Sequence, residues 1–223
     1  MTFEWTRLVG SSSYEQAHAL TTGADGSIYI AGFTGGDLDG QTNSGDYDAF
    51  LTKFNPNGTK AWTRLLGTDA WDDGHALTTG LDGSIYIAGF TDGYLDAHIN
   101  SGYDNEDAFI SKFNPNGTKV WTRLLGTNGS HIEGKENALT TGLDGSIYIA
   151  GYTWGDLDGQ TNSGTYDAFL TKIVDRNETP TELTLSATSF YENIDAGSVI
   201  ATLSTTDPDS SDTHTYSFVS GSG

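Results

Sequence analysis

The sequence predicts an all-β protein, a β-propeller-like array of three four-stranded sheets, and three observations support this prediction. Residues 48–67 return almost unchanged at 107–126, and the first part of this stretch returns again at 167–173. A second block, residues 25–34, recurs at 82–91 and 144–153. The resulting period of about sixty residues is close to that of large propeller blades. No segment longer than about ten residues shows an apolar period of 3.6 residues, so little helix is expected.

Each repeat has the pattern of two β-hairpins. In the second repeat, β-branched and apolar runs at 75–79 and 84–90 flank a Gly-Leu-Asp-Gly turn. Runs at 107–113 and 118–125 flank Asn-Pro-Asn-Gly, in which proline and glycine supply the backbone angles of a tight turn. Residues 85–89 lack polar alternation, which indicates that both faces of the sheet are covered. We therefore expect four-stranded sheets that stack face to face.

The fourth strand of the repeat decides how the array ends. This strand begins with tryptophan at Trp5, Trp62 and Trp121, so one copy precedes the first repeat and the third repeat has none. We predict that residues 5–9 complete the last blade, because this pairing would remove an exposed strand edge. Three blades are fewer than the usual number of about four to eight. Three arrangements stay open, namely a tight three-bladed ring, a homodimer that completes a six-bladed ring, and a fragment of a larger ring.

The repeat resembles the bacterial β-propeller repeats known by the short name SBBP. The resemblance rests on a Trp-x-x-x-x-Gly strand at 62–67, an Asp-Gly-x-Ile-Tyr-x-Ala-Gly-x-Thr hairpin at 82–91 and an Asp-Ala-Phe-x-x-Lys strand at 107–112. It covers roughly residues 3–174, and we expect residues 1–175 to form the propeller domain. The resemblance implies a modular bacterial protein at the cell surface or outside the cell, without fixing an activity.

Residues 176–223 are predicted to form a linker and a second, incomplete module. The composition changes here to threonine, serine and acidic residues, and a Thr-Pro pair at 179–180 indicates the linker. Runs at 183–186, 197–203 and 215–218 resemble the opening strands of a cadherin-like β-sandwich, of which about half is present. This resemblance implies a calcium site whose ligands would be Asp175, Asn177, Asp207 and Asp209.

The composition excludes several classes of partner. Thirty acidic and ten basic residues give a formal net charge of −20, which repels nucleic acid and anionic membranes and attracts divalent cations. There is no cysteine, hence neither a disulfide framework nor a thiolate metal site. No run of about 18 apolar residues predicts a membrane span, and residues 1–5 lack the features of a signal peptide. The start inside repeat sequence suggests a piece of a larger protein.

Acidic, glycine-rich loops join the two hairpins in the first and third repeats. Their candidate ligands for calcium are Asp37, Asp39, Asp48, Asp156, Asp158 and Asp167. Carboxylates, amides and loop carbonyls are the hard oxygen ligands that calcium prefers, and we predict calcium as the cofactor. The alternative interpretation is that these residues build solvated turns, with the aspartate before each Ala-Phe pair acting as a turn cap. The second repeat departs from the pattern, because Tyr94 stands in place of the first aspartate.

The motifs of common enzymes are absent from the sequence, and the near identity of the repeats argues against a site that needs one special blade. His18 and His75 occupy equivalent positions, which favours a packing role for both. We expect a non-enzymatic extracellular scaffold or adhesion protein that binds a protein or a glycan at a cell surface. One alternative is a carbohydrate- or polymer-binding propeller that uses loop aromatics such as Tyr94, Tyr103 and Trp154. A hydrolase or lyase acting through loop carboxylates is the third hypothesis.

Overall fold

The computed structural model describes residues 2, 4–97, 107–125, 138–174, 182–186, 199 and 201–206. Its strands are β1 (Glu15–Thr22), β2 (Ile28–Thr34), β3 (Asp48–Phe54), β4 (Lys60–Leu66), β5 (Asp72–Thr79), β6 (Ile85–Thr91), β7 (Asp107–Phe113), β8 (Lys119–Leu125), β9 (Ala138–Thr141), β10 (Ile147–Thr153), β11 (Asp167–Ile173), β12 (Glu182–Leu185) and β13 (Leu203–Thr206). One 3-10 turn spans Leu95–Ala97. Within these ranges no helix is long and apolar enough to cross a membrane. The predicted all-β class is confirmed.

The strands form antiparallel sheets in chain order. Sheet 1 has the order β1-β2-β3-β4 and sheet 2 the order β5-β6-β7-β8, so each is a simple meander of one repeat. Sheet 3 has the order β9-β10-β11, and β12 pairs with β13 in a separate ribbon. The chain divides into two compact units, Met1–Asp175 and Arg176–Gly223. Sheets 1 to 3 all belong to the first unit.

The first hairpin of each sheet closes on the same turn. In sheet 2, Gly83 has a φ of 83°, a backbone conformation that costs glycine nothing. The carboxylate of Asp82 accepts hydrogen bonds of 2.9 Å from both the backbone nitrogen and the hydroxyl of Ser84. Lys112, on β7, lies 3.2 Å from the same carboxylate. These local contacts fix the hairpin without help from the neighbouring sheets.

Sheet 2 lies between the other two sheets, which explains why its strands lack polar alternation. Its core with sheet 1 contains the buried residues Tyr29, Ala31, Leu51, Leu77, Ile85, Ile87, Phe109 and Phe113. Its opposite face packs on sheet 3 through the buried residues Ala76, Tyr86, Ala88, Ile110, Ile147 and Ile149. Full burial of each large aliphatic or aromatic side chain stabilises the fold by roughly 1.5–3 kcal/mol. Stacking of sheets through their apolar faces is therefore the main stabilising interaction of the array.

The outer faces of sheets 1 and 3 repeat the inner pattern but are only partly covered, since Phe50 and Phe54 on the outer face of sheet 1 are buried and other residues of these faces are exposed. Leu20 pairs with Ile30 as Leu77 pairs with Ile87, yet Leu20 is 71% exposed and Leu77 only 8%. At the other end of the array, Leu170 is 70% exposed, whereas Leu51, the corresponding residue of sheet 1, is fully buried. Each end of the array thus presents a face whose equivalent in another repeat packs on a neighbouring sheet.

The N-terminal segment does not complete sheet 3, and this part of the prediction is wrong. Residues 4–10 form no strand, and in the described part of the chain β11 pairs with β10 alone. Instead, Trp5 packs on Gly58, in the turn between β3 and β4, and the Arg7 Nε donates a 2.8 Å hydrogen bond to the Gly58 carbonyl. The physical reason is that this contact holds the motif beside sheet 1, whereas sheet 3 lies on the far side of sheet 2.

Candidate metal centre

Two histidines stand at irregular positions of the first strands of sheets 1 and 2. The register of β1 on β2 shifts between Ala17 and Ala19, so His18 is an extra residue in its strand. The register of β5 on β6 shifts in the same way between Gly74 and Ala76, which makes His75 the extra residue there. A β-bulge of this kind bends the strand and redirects the side chain of the extra residue.

Close backbone contacts hold both bulges in place. A Cβ atom on Gly32 would lie 1.8 Å from the carbonyl oxygen of Gln16, and one on Gly89 would lie 1.7 Å from that of Asp73. No side chain can occupy such a position, so β2 and β6 need glycine opposite their bulges. The invariance of Ala-Gly in the repeated hairpin block therefore has a structural cause.

The bulges bring three potential metal ligands together where sheet 1 meets sheet 2. His18 Nδ1 lies 3.2 Å from Asp73 Oδ1, and His75 Nε2 lies 3.0 Å from Asp73 Oδ2. The two imidazole rings are 4.6 Å apart between centroids and inclined at 74°. The ligand atoms of all three residues lie within 4.8 Å of one another. One strand from each sheet thus contributes to a single cluster.

The surroundings of the cluster are largely apolar. His18 packs edge-on against Phe33 at 5.6 Å, and His75 does the same against Phe90 at 5.7 Å. The Asp73 side chain is 3% exposed, while those of His18 and His75 are 21% and 18% exposed. The carboxylate is therefore buried, and solvent reaches the cluster along the imidazoles.

The hydrogen bonding of the cluster is incomplete. Asp73 Oδ1 and His75 Nε2 are buried and take part in no hydrogen bond, although the contacts between these side chains are short. Leaving such a polar atom buried without a hydrogen bond costs roughly 1–3 kcal/mol. In the described ranges, this is the one group of three or more histidine or acidic side chains whose ligand atoms lie this close together.

The aspartates predicted as calcium ligands in the first repeat make separate contacts. Asp37 accepts a 2.9 Å hydrogen bond from the backbone nitrogen of Asn43. Asp39 binds Lys60 and the Thr63 hydroxyl, both on β4. The structure does not bring these carboxylates together with Asp48 into one three-carboxylate cluster.

Asp48 is fully buried, and burial raises the pKa of its carboxyl group. Its Oδ2 accepts a 2.9 Å hydrogen bond from the backbone nitrogen of Ser44, across the end of the loop. Asp167 accepts the corresponding bond of 2.7 Å from Ser163. Both contacts are those of a carboxylate that caps a turn. Calcium binding by the acidic loops stays a prediction.

The other loop aspartates of the third repeat follow the same geometry. Asp156 accepts a 2.8 Å hydrogen bond from the backbone nitrogen of Asn162, as Asp37 does from Asn43. Asp158 has a φ of 48°, close to the 53° of Asp39, so both loops adopt the left-handed conformation that aspartate tolerates. The loops of the first and third repeats therefore share one backbone conformation.

Comparison with known proteins finds similarity to parts of two longer proteins. It is similar to the regulatory protein FlaEY of Caulobacter vibrioides, with 29% identity over 195 residues that make up 80% of this chain and 20% of the relative. It is also similar to the uncharacterized WD repeat-containing protein L264 of Acanthamoeba polyphaga mimivirus, with 22% identity over 199 residues, or 72% of this chain and 14% of the relative. No protein-family profile matches. The chain thus spans a fifth or less of either relative.

The remaining predicted site residues lie outside the described residues, namely Asp175, Asn177, Asp207, Asp209 and Tyr103. The resemblance to SBBP repeats and to a cadherin-like module stays a prediction as well. Sequence reasoning did not include Asp73 in any site. The sequence feature that could have indicated Asp73 is the Asp-Gly-His run at 73–75. Two repeats have the histidine, and in the second repeat a carboxylate stands two residues before it. Only the stacking of sheet 1 on sheet 2 brings His18 to the same point.

Proposed function

We propose that this chain is a non-enzymatic scaffold of stacked β-sheets that acts by binding other proteins through the two ends of the array. The observation that carries the proposal is the match between the two ends: an N-terminal segment that makes the contacts of a fourth strand at one end, and at the other a sheet that has three strands in the described part of the chain. For the chain in solution, the partner that satisfies both ends is a second copy.

The N-terminal segment makes the contacts of a fourth strand. Trp62 and Arg64 of β4 contact Gly117 in the next sheet as Trp5 and Arg7 contact Gly58, and the Arg64 Nε bond is also 2.8 Å long. In both pairs the guanidinium lies over the indole, at 5.4 Å for Arg7 and 5.5 Å for Arg64. Residues 5–9 are therefore positioned as β4 would be in a sheet that precedes sheet 1.

Sheet 3 has room for such a strand. A cavity of about 350 Å³ lies beside β11 and is lined by Leu157, Asp158 and residues 168–171. In sheet 1 the corresponding place holds β4, where the Thr63 hydroxyl lies 2.9 Å from that of Thr52 and also binds Asp39. The third repeat has Thr171 and Asp158 at these positions. Thr6 of a second copy, equivalent to Thr63, would supply the missing hydroxyl.

The exposed end faces support the same arrangement. The outer face of sheet 3, with Leu170, corresponds to the face that sheet 1 presents to sheet 2. The outer face of sheet 1, with Leu20, corresponds to the face of sheet 2, with Leu77, that packs on sheet 1. Stacking of one copy on the next would thus repeat an interface already present within the chain. Two copies that close on each other would make a six-bladed ring, whereas an arrangement that does not close would form a filament.

Disulfide trapping between two single-cysteine variants tests this proposal, since the chain has no cysteine of its own. Thr52 and Thr63 are direct strand partners, so the proposal makes Thr171 and Thr6 partners across copies, within disulfide range. A mixture of Thr6→Cys and Thr171→Cys should form a mixed disulfide dimer under mild oxidation. A mixture of Thr6→Cys and Leu143→Cys is the control, because Leu143 is exposed in a turn away from the sheet faces.

The mass of the wild-type chain in solution completes the test. We expect a concentration-dependent dimer or larger assembly that Leu170→Asp reduces and Leu143→Asp leaves intact. A chain that stays monomeric at high concentration, with no mixed disulfide, would contradict association between copies. A disulfide that forms only within the double variant Thr6→Cys/Thr171→Cys would instead show closure within one chain.

Calcium binding at the acidic loops and a location at the cell surface form the second part of the proposal. The net charge of −20 and the loop carboxylates support calcium binding, and the resemblance to SBBP repeats supports the location. Millimolar calcium should raise the melting temperature relative to a chelator, since a ligand of the folded state stabilises that state. An unchanged melting temperature would remove calcium from the proposal.

Carbohydrate binding is the second candidate function, and one aromatic cluster favours it. Trp154 and Tyr166 pack edge to face at 5.1 Å and are 40% and 53% exposed, and Tyr152 lies 5.4 Å from Tyr166. Exposed aromatic rings are common stacking surfaces for sugars. Saturable binding on a glycan array, lost in Trp154→Ala, would support this candidate, and a blank array would remove it.

A further inference from the structure

We propose that His18, Asp73 and His75 form a binding site for a divalent transition-metal ion, with zinc as the preferred ion, that joins sheet 1 to sheet 2. This inference is independent of the assembly proposed above, because it rests on residues inside the array. It is distinct from the predicted calcium loops, since none of its ligands belongs to them.

One oxygen of the Asp73 carboxylate lacks a hydrogen bond. Asp73 is 2% exposed, and its Oδ1 takes part in no hydrogen bond although an imidazole nitrogen lies 3.2 Å away. His75 Nε2 is also buried without a hydrogen bond, although it lies 3.0 Å from Asp73 Oδ2. These short contacts without hydrogen bonds leave donor atoms available to a bound ion.

The distances within the cluster are close to those of a zinc site. Zinc binds imidazole nitrogen at about 2.0–2.1 Å and carboxylate oxygen at about 2.0–2.2 Å in a tetrahedral arrangement, so its ligand atoms lie roughly 3.3–3.5 Å apart. The separations here are 3.2 Å from His18 Nδ1 to Asp73 Oδ1 and 3.0 Å from His75 Nε2 to Asp73 Oδ2, and one ligand atom from each of the three residues lies within 4.8 Å of the other two. Because the two contacts go to different oxygens of one carboxylate, both imidazoles must move closer to a common point to complete the geometry.

The chemistry of the donors agrees with a zinc site. Two imidazoles and one carboxylate suit zinc and its transition-metal neighbours, whereas calcium and magnesium prefer sites made of oxygen alone. Three protein ligands leave the fourth position of the ion for water or another small ligand. The partial exposure of His18 and His75 provides the path by which the ion enters.

The site has a structural consequence. His18 belongs to β1 and both other ligands belong to β5, so a bound ion would add a direct link between two sheets that apolar packing and hydrogen bonds such as Arg64 to Gly117 already join. A ligand that needs both sheets in place binds only the folded array and stabilises it by mass action. The sequence has Asn137 in the third repeat at the position of His75, so the site belongs to the junction of sheets 1 and 2 alone.

The test is titration of the chelator-treated full chain with zinc in competition with a chromophoric chelator. We expect one ion per chain with a dissociation constant in the micromolar range or tighter. Saturating zinc should raise the melting temperature by roughly 5–10 °C at a free concentration about 100-fold above the dissociation constant. Cobalt should give the visible absorption bands of a tetrahedral site, and calcium should compete with neither metal.

Variants assign the binding to this cluster. His18→Gln and His75→Gln should each weaken zinc binding at least tenfold, and His98→Gln, which removes a histidine from outside the described residues, serves as the matched control. Circular dichroism and the melting temperature of the metal-free variants separate loss of a ligand from loss of folding. Asp73→Asn keeps the shape of the side chain and should also lose the zinc-dependent rise in melting temperature.

Zinc titration of the wild-type chain and of the histidine variants decides whether the site exists. Absence of zinc binding in the micromolar range by the folded wild-type chain would overturn the proposal. Zinc binding that persists unchanged in His18→Gln and His75→Gln would overturn it as well, and would point to the acidic loops. Binding that these variants lose while their metal-free melting temperatures stay at the wild-type value would establish the site.

Discussion

The Nε of Arg7 donates a hydrogen bond to the carbonyl oxygen of Gly58, and this contact places the N-terminus on the turn of the first repeat. The same bond joins Arg64 to Gly117 one repeat later. The Trp-Thr-Arg motif therefore binds the turn of the sheet that follows it in the chain. It makes this contact whether or not its own backbone is paired in a sheet. This separates two roles of the fourth strand, which are to complete one sheet and to hold the next.

Loss of the tryptophan in β4 should destabilise the array more than loss of Trp5. Trp62 packs against the core between sheets 1 and 2 and lies 6.0 Å from Tyr29 between ring centroids, whereas Trp5 is 36% exposed. We expect Trp62→Ala to lower the free energy of unfolding by about 3 kcal/mol and Trp5→Ala by about 1 kcal/mol. Urea denaturation of both variants measures the difference. Equal losses would show that the N-terminal segment contributes as much as β4.

Glycine opposite the second bulge should be irreplaceable. A Cβ atom on Gly89 would overlap the Asp73 carbonyl oxygen, so Gly89→Ala forces β5 away from β6. We expect a loss of at least about 3 kcal/mol, or failure to fold. Gly164→Ala is the matched control, because no atom lies within 4 Å of the position of its Cβ, and it should change stability by less than about 0.5 kcal/mol. A soluble, fully stable Gly89→Ala protein would be incompatible with the observed bulge.

Two buried carboxyl groups where sheet 1 passes into sheet 2 should make stability depend on pH. Burial, together with the nearby charge of Asp48, raises the pKa of Asp72 from the ordinary value of 3.8 to about 6. Burial also raises the pKa of Asp48. Because the folded state favours the protonated form, the stabilisation is complete below about pH 4 and is lost as the pH rises through about 6.

The Asp72→Asn variant should remove this decline, which is on the order of 2 kcal/mol between pH 4 and 7. The asparagine oxygen can still accept the hydrogen bonds that Thr68 donates to Asp72 Oδ2. Urea unfolding at pH 4, 5, 6 and 7, with a chelator present, measures the slope. Asp144→Asn is the control, because the exposed Asp144 has a pKa lowered to about 2 by Lys172 and titrates below this range. An unchanged slope in Asp72→Asn would exclude this carboxyl group as its source.

Hydrogen exchange should be slowest in the middle of the array. Every residue of β6 is buried between two neighbouring sheets, whereas β11 alternates between half-buried and exposed residues at one end. Amides of β6 should exchange only by global unfolding, and those of β11 by local opening. Mass spectrometry of exchanged peptides gives the ranking. Equal protection of both strands at low protein concentration would contradict it, whereas protection of β11 that grows with concentration would support association of copies.

Much of this fold follows from local sequence signals. The turn at Gly83 and the Asn-Pro-Asn-Gly turns have one favourable backbone conformation each, so hairpins and strand order could be predicted from the repeat alone. The apolar run of β6 also indicated a sheet covered on both faces. The destination of residues 5–9 could not be predicted, because identical repeats specify the type of a strand without specifying the sheet that receives it.

The candidate metal centre depends on relationships that no single repeat contains. His18 and Asp73 are far apart in the sequence and meet only through the packing of two sheets. The β-bulges that redirect both histidines come from close contacts at Gly32 and Gly89, which a glycine in a strand pattern signals only as an irregularity. The acidic loops were easier to recognise from composition, yet their carboxylates separate into individual turn contacts.

The outer face of sheet 1 corresponds to the face by which sheet 2 packs on sheet 1. Each sheet therefore has the two faces that a neighbour on either side would need. A further repeat placed beside either end sheet would meet a face like those already packed inside the array. The number of sheets in such an array can therefore change by whole repeats, because each added sheet supplies the same pair of faces.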